Sequence, residues 1–357
     1  MHDDGLKIVV YTITKNEEKF IRRYCDSAKE ADDVVFVDTG STDSTVQVAK
    51  ECGATVHQIS VSPWRFDVAR NASLALLPAD ADVCIALDAD EVLMEGWRQE
   101  VAALWKDGVT RIRYLFDWGS NVKFMSDKFH SRAGYLWKHP CHERLVPDPR
   151  LTEKYAVTQK LLVTHMPDPH KSRGQYLDLL AVGAKEDPHD SRNSFYYARE
   201  LTFYSHWEKA IVELKRYLSL PTSKWGAERG YAARLIGKSL TSLGRQKEAE
   251  EWYMTATREA PERRESWVEL ADYYHKTSQW SKCLEAARVA IGVEGHRNDW
   301  PNDPVAWGPK PYDLLALAAY YTGDKSRAIK YGQIALEMKP DDARLLRNMQ
   351  WYLGNVK

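Results

Sequence analysis

Small side chains return at matched positions through the second half of the chain, and that return restricts it to stacked helical hairpins. With Ala210, Ala249, Cys283 and Ala328 as anchors, the residues twelve places earlier are Ala198, Gly237, Ala271 and Ala316. Seven places later stand Tyr217, Ala256, Ala290 and Ala335, three of them small. Pro261, Gly295 and Pro340 lie twelve places after the last three anchors, where units would end, and Pro221 comes one place early in the first. Ala249 and Cys283 are 34 residues apart, the tetratricopeptide period. The other intervals are that period plus short insertions around residues 221–228 and 296–308. Small residues at these places let two antiparallel helices approach and neighbouring hairpins stack. A generic helical bundle has no reason to repeat them at three offsets. Such an array serves peptides, partner subunits or self-association, so a homodimer or a protein partner through the repeats is expected. By itself it carries no chemistry.

The first ~118 residues have another rhythm, short apolar runs alternating with helical patterns. Residues 7–13, 34–37, 54–59, 83–87 and 111–116 read as strands, with helices between them and Ser41 or Thr42 as a helix cap. Near-continuous apolar strands alternating with helices imply a mainly parallel sheet covered on both faces. Ligands of such sheets bind beyond the carboxyl ends of the strands. The character changes at about Pro188, which divides the chain into an α/β domain over 1–185 and an all-α repeat domain over 186–357. With 50 basic and 51 acidic side chains, the molecule has no bulk attraction for nucleic acid or anionic membrane. The acidic start lacks the pattern of a signal peptide, no apolar run is long enough to span a bilayer, and the five cysteines are scattered. A cytoplasmic protein with reduced thiols is the expectation.

Two motifs point to chemistry. Asp88-Ala89-Asp90-Glu91 follows the strand Val83-Cys84-Ile85-Ala86-Leu87. Clustered carboxylates repel unless a cation or solvent compensates. Asp88 and Asp90, two apart in an extended segment, can face one hard cation such as Mn²⁺ or Mg²⁺, or form a solvated acidic turn. The run Val37-Asp38-Thr39-Gly40-Ser41-Thr42-Asp43 is a strand end, a tight turn and a helix start. An Asp there can accept hydrogen bonds from a base or ribose, or simply shape the turn.

In order along the chain stand Tyr11-Thr12-Ile13-Thr14-Lys15-Asn16-Glu17-Glu18, the Asp38 run, Phe66-Asp67-Val68-Ala69-Arg70-Asn71 and Leu87-Asp88-Ala89-Asp90-Glu91. This series resembles family 2 glycosyltransferases of the GT-A fold over about residues 6–180, with the repeats behind. The resemblance implies a Rossmann-like GT-A domain that binds a nucleotide-sugar, usually UDP-linked. Thr12, Thr14, Glu17 and Asp38 would hold the nucleoside, and Arg70 the base or diphosphate. Asp88 and Asp90 would take ribose and, through Mn²⁺ or Mg²⁺, the diphosphate. Many members carry a second Asp where this chain has Thr39. Glu143, in Trp137-Lys138-His139-Pro140-Cys141-His142-Glu143-Arg144, resembles the family's downstream His-Glu segment and would be the general base of an inverting transfer, with His142 orienting it or the sugar. A salt bridge to a basic neighbour is the alternative for Glu143. His165 would complete the metal site or serve the structure alone, and Lys171 and Arg173 would screen the diphosphate or stay in solvent.

The acceptor side is less defined. From Asn121 to Arg144 five basic residues (Lys123, Lys128, Arg132, Lys138, Arg144) interleave with Phe124, Phe129, His130, Tyr135, Trp137 and His139. That mixture suits a phosphorylated, lipopolysaccharide-like glycan or nucleic-acid acceptor, and equally stacking on a sugar, while the aromatic-rich repeats could present a protein acceptor. Sugar nucleotidyltransferases share a related sheet, but their first strand leads into a glycine-rich loop, and Ile13-Thr14-Lys15-Asn16-Glu17 has no glycine. The non-enzymatic alternative is a transferase-like repeat adaptor without activity.

Overall fold

The computed structural model describes residues 4–119, 122–168, 174–296 and 299–354, and the chain divides into two compact units, Met1–Glu186 and Asp187–Lys357. The first unit begins β1 (Ile8–Thr14), α1 (Glu18–Ser27), β2 (Asp33–Asp38), α2 (Thr45–Glu51), β3 (Thr55–Gln58), α3 (Phe66–Leu76) and β4 (Val83–Ala86). It continues β5 (Glu91–Leu93), α4 (Trp97–Leu104), β6 (Arg111–Gly119), β7 (Val122–Ser131), β8 (Tyr135–Lys138), β9 (Arg144–Pro147), β10 (Tyr155–His165) and α5 (Tyr176–Glu186).

An eight-stranded sheet runs in the order β3-β2-β1-β4-β7-β6-β10-β5, with β8 and β9 as a separate hairpin. Strands β3, β2, β1 and β4 are parallel, as alternation with helices requires. Ile8 and Val10 of β1 pack with Ile21, Tyr24 and Phe36, whereas Val9 and Tyr11 pack with Leu74, Leu77 and Trp137. Burial on both faces is why this strand reads as a continuous apolar run. Past β4 the sheet is mixed. β7 is antiparallel to β4 and β6, β10 is parallel to β6, and β5 is antiparallel to β10. Helix α2 begins at Thr45 with Ser44 at its cap, so Ser41 and Thr42 belong to the preceding turn. The reason is local, since Ser41 is spent on Asp38 and Thr42 on Asn16.

The second unit is built of antiparallel helix pairs: α6 (Ser191–Phe203) with α7 (Trp207–Ser219), and α8 (Gly226–Ser242) with α9 (Gln246–Glu259). Next come α10 (Arg264–Lys276) with α11 (Trp280–Gly292), α12 (Lys310–Tyr321) with α13 (Lys325–Met338), and a closing α14 (Ala343–Leu353). The anchors Ala210, Ala249, Cys283 and Ala328 are fully buried, as are Ala198, Ala271 and Ala316. At Gly237 a Cβ would stand 3.1 Å from the Tyr253 ring, so this crossing demands a small residue. Tyr217, the bulky exception in the pattern, is buried too and donates its hydroxyl to Glu228 at 2.8 Å. The insertion before α12 folds inward. Trp300 packs its ring 5.4–5.9 Å from Phe195, Tyr196 and Tyr231, while Asp299 takes a hydrogen bond from Arg263 at 2.7 Å. Among the described residues no helix is long and apolar enough to cross a membrane, and all five cysteines are free thiols.

Candidate active site

The turns after β1 and β2 are laced together by the polar residues of both motifs. Thr39 donates its backbone N–H and its hydroxyl to the Thr14 carbonyl, at 2.9 and 3.0 Å. A second Asp at position 39 could not make that hydroxyl contact. Asn16, in the left-handed region at φ 57°, donates to Ser41 Oγ and accepts from Thr42 N–H, at 2.8 and 2.7 Å. The Glu17 N–H donates to Thr45 Oγ1 at 2.8 Å. Asp38, buried at the tip of β2, accepts from the Gly40 and Ser41 N–H groups at 3.1 and 3.0 Å and from the Ser41 hydroxyl. Thr12 is buried with its hydroxyl on the Ile13 carbonyl, and Thr14 Oγ1 is buried without a hydrogen-bond partner. The Asp38 carboxylate thus shapes its own turn, and Thr14 retains an unused hydroxyl.

Arg70 is the centre of the site. It sits in α3 and is buried, with its guanidinium 4.9 Å above the Trp137 ring. Its Nη2 donates to Asp88 Oδ1 and its Nε to Glu143 Oε1, both in short contacts, while Nη1 is buried without a partner. One side chain therefore joins the end of β4 to the loop between β8 and β9. Asn71, the next residue, fixes that hairpin by donating to the Trp137 carbonyl at 2.8 Å and accepting from its N–H at 2.9 Å. The loop bends through two left-handed residues, His139 at φ 83° and His142 at φ 51°, an uncommon conformation for any side chain but glycine. The His142 ring lies 5.9 Å from that of Tyr176 in α5.

On the other side of Asp88, Lys128 of β7 donates to Asp88 Oδ2 at 3.2 Å and to Glu91 Oε1 at 2.8 Å. Glu91 Oε2 in turn accepts the Asp88 N–H at 3.0 Å. Asp90 faces His165, with Oδ2 and Nε2 3.4 Å apart, and His165 Nδ1 is buried without a partner. His165 ends β10, opposite Glu91 of β5. Thus Arg70, Asp88, Asp90, Glu143 and His165 form one region together with Lys128 and Glu91, while Thr14 and Asp38 form the neighbouring turn. Lys171 and Arg173 lie outside the described residues.

Residues 9–153 match the family model described as glycosyl transferase family 2. The first unit carries a family 2 glycosyltransferase domain. An uncharacterized glycosyltransferase of Rickettsia typhi is 40% identical over 96 residues, covering 27% of this chain and 32% of that protein. The chain therefore spans about a third of the length of the Rickettsia relatives it matches. The lipopolysaccharide core biosynthesis glycosyltransferase LpsC of Rhizobium meliloti is 29% identical over 161 residues, 40% of this chain and 58% of that protein. Among solved structures, YrrB, a TPR protein with an unusual peptide-binding site, is similar over 49% of this chain and 82% of its own, at 16% identity and a TM-score of 0.40.

Charge in the glycosyltransferase domain is balanced by two cations, the buried Arg70 and the half-buried Lys128. Burial alone would raise the Asp88 carboxyl, but Lys128 and Arg70 outweigh it and hold Asp88 well below the usual range. Burial would lower Lys128 and Arg70, yet Asp88 with Glu91, and Asp88 with Glu143, keep them charged. Glu91 is pushed up to about 7 by burial, with Lys128 opposing and Asp88 adding to the rise. Burial also tends to lower His165, but Asp90 raises it above the ordinary value. Among the described residues no three His, Cys, Asp or Glu side chains gather so as to hold a metal ion. Asp90 and His165 offer an oxygen and a nitrogen of the kinds Mn²⁺ accepts, whereas both Asp88 oxygens already rest on cations. Sequence reasoning found the acid residues but passed over Lys128 as one of five basic residues. The usable signal was the acidic cluster's own need for a counter-charge.

Proposed function

We propose that the first unit is an inverting glycosyltransferase that moves a sugar from a nucleotide-sugar, read as UDP-linked, to an acceptor. The observation that carries this reading is Arg70, whose guanidinium joins Asp88 to Glu143, the latter 73 positions further along the chain than the arginine, and keeps Nη1 free for a further acceptor. A diphosphate is such an acceptor, since guanidinium N–H groups match its oxygens. Thr14 and the Asp38 turn take the nucleoside side, with Thr12 and Glu17 in support. Glu143 Oε1 is held by Arg70, which leaves Oε2 to receive the acceptor's proton as its oxygen attacks the anomeric carbon and the nucleoside diphosphate departs. His142 orients Glu143 or the sugar.

Mn²⁺ or Mg²⁺ on Asp90 and His165, with Asp88 beside them, would offset charge on the departing diphosphate. Lys171 and Arg173 belong to the same reading as screening charges. The likeness to LpsC favours a glycan acceptor over a protein or nucleic acid. The free thiols agree with a cytoplasmic location. The helical array would carry a protein partner or a second copy of the chain.

Thermal shift against UDP-, GDP- and dTDP-sugars, with and without Mn²⁺, tests the donor, because a ligand of the native state raises apparent stability. A UDP-sugar should raise the midpoint and be hydrolysed slowly. Glu143→Gln should lower turnover by about 10²–10⁴-fold with donor affinity kept. Near-normal turnover would remove Glu143 as the base, and a chain that binds no nucleotide-sugar would be the inactive adaptor.

A further inference from the structure

Trp118, next to last in β6, has an exposed ring where the strand's own pattern calls for burial. Ile112, Tyr114 and Phe116 are the buried row of this strand, and Trp118 continues that row at 49% exposure. Its indole lies flat on His165, with centroids 4.4 Å apart and planes 30° apart. Phe116 and Phe124 stand behind it at 6.1 and 6.4 Å. Register accounts for the stack. Phe116 pairs with Val163 and Asp117 with Thr164, so Trp118 falls beside His165, which is itself opposite Glu91 and 3.4 Å from Asp90. An aromatic plane is thereby fixed at the edge of the candidate active site. Leaving it half exposed forgoes the stabilisation that burial of its apolar surface would bring. Bracing His165 requires one face of the indole; it does not explain a large ring presented to solvent beside carboxylates.

We propose that Trp118 is the stacking platform for the acceptor, and that the acceptor presents a pyranose ring to it. A pyranose has a face of C–H groups that packs on an aromatic plane and a rim of hydroxyls that seek polar partners. The polar groups at hand on this face are Asp90 and His165. A nucleobase also stacks on indole. However, the nucleoside turn lies at the ends of β1 and β2, and β6 is three strands beyond β1 in the sheet, roughly 14 Å at the usual spacing. The plane therefore stands past the Asp88 motif, on the side away from the base. This inference rests on the glycosyltransferase reading of the same site.

Saturation-transfer NMR on the full chain tests it, with methyl β-D-glucopyranoside, methyl α-D-mannopyranoside and UDP as probes. At least one pyranoside should receive saturation from the wild type and from Trp118→Tyr. The signal should fall at least five-fold in Trp118→Ala, while UDP binding is unchanged in all three proteins. Equal pyranoside signals in wild type and Trp118→Ala, or none in a wild type that binds UDP, would overturn the platform and spare the transferase reading. Loss of UDP and pyranoside together in Trp118→Ala, with rescue of both by Trp118→Tyr, would make Trp118 a brace for His165 instead. A wild type that binds neither UDP nor a pyranoside would remove both readings.

Discussion

Lys128 answers a question the sequence poses, namely what lets Asp88, Asp90 and Glu91 crowd at one strand end. Its ammonium bridges Asp88 and the buried Glu91, with Arg70 on the other Asp88 oxygen. Removing one partner of such a group strands the others, so Lys128→Met should cost about 3 kcal/mol in urea unfolding, and more than any surface lysine. His130 makes a second prediction at this scale. The Ser131 carbonyl can only accept, so Nδ1 carries the ring proton, and Nε2 then receives the Tyr11 hydroxyl at 3.0 Å. Tyr11 in turn accepts the Trp137 N–H at 3.2 Å, and Trp137 is the ring beneath Arg70. Burial holds His130 down to about 3, against an ordinary 6.5. Between those values the unfolded chain binds the extra proton. Stability from this group is therefore complete above about pH 6.5 and falls as pH drops toward 3, by at most about 1.4 kcal/mol per pH unit. His130→Gln should flatten that slope in denaturation curves taken from pH 7 to 4.5. Asp88, Asp90 and Arg70 were legible because strand-end carboxylates and a helix-borne arginine sit in short motifs. Lys128 and His130 were not, because their partners lie 37 and 119 positions away.

At the scale of elements, legibility followed the strength of the period. The buried parallel strands and the helical hairpins announce themselves through apolar runs and recurrent small residues. Strands β7 and β10 did not, because their side chains are mostly half exposed and register shifts interrupt β6–β7 and β6–β10. The stretch read as a basic, aromatic acceptor segment is largely strand, and two of its cations face inward or onto backbone. Lys128 lies on carboxylates, and Arg132 donates to the Leu77 and Pro78 carbonyls at 3.3 Å. Close helix contacts can be tested directly. A Cβ at Gly226 would meet the Glu259 carbonyl oxygen at 2.8 Å, and backbone cannot swing aside as a side chain can. Gly226→Ala should lower stability by about 1–3 kcal/mol in thermal or urea melts, even though alanine favours helix.

The chain as a whole divides after Glu186 into a sheet-based unit and a helical one. Each half was legible as a class. The insertion of residues 296–308 was legible only as added length, since its destination depends on contacts with helices far earlier in the chain. That destination alters how the helical unit should come apart. In an array where each hairpin touches only its neighbours, strength is a running sum, and the structure can fray from an end one hairpin at a time. Here a segment entering the fourth hairpin is anchored by Trp300 on α6 and α8, the opening helices of the first two. A stitch of that kind turns a zip into a closed purse. The unit should melt in a single transition, and Trp300→Ala should broaden or split it in calorimetry while the helices persist by circular dichroism. A transition equally sharp in the variant would mean that the stitch carries no tension.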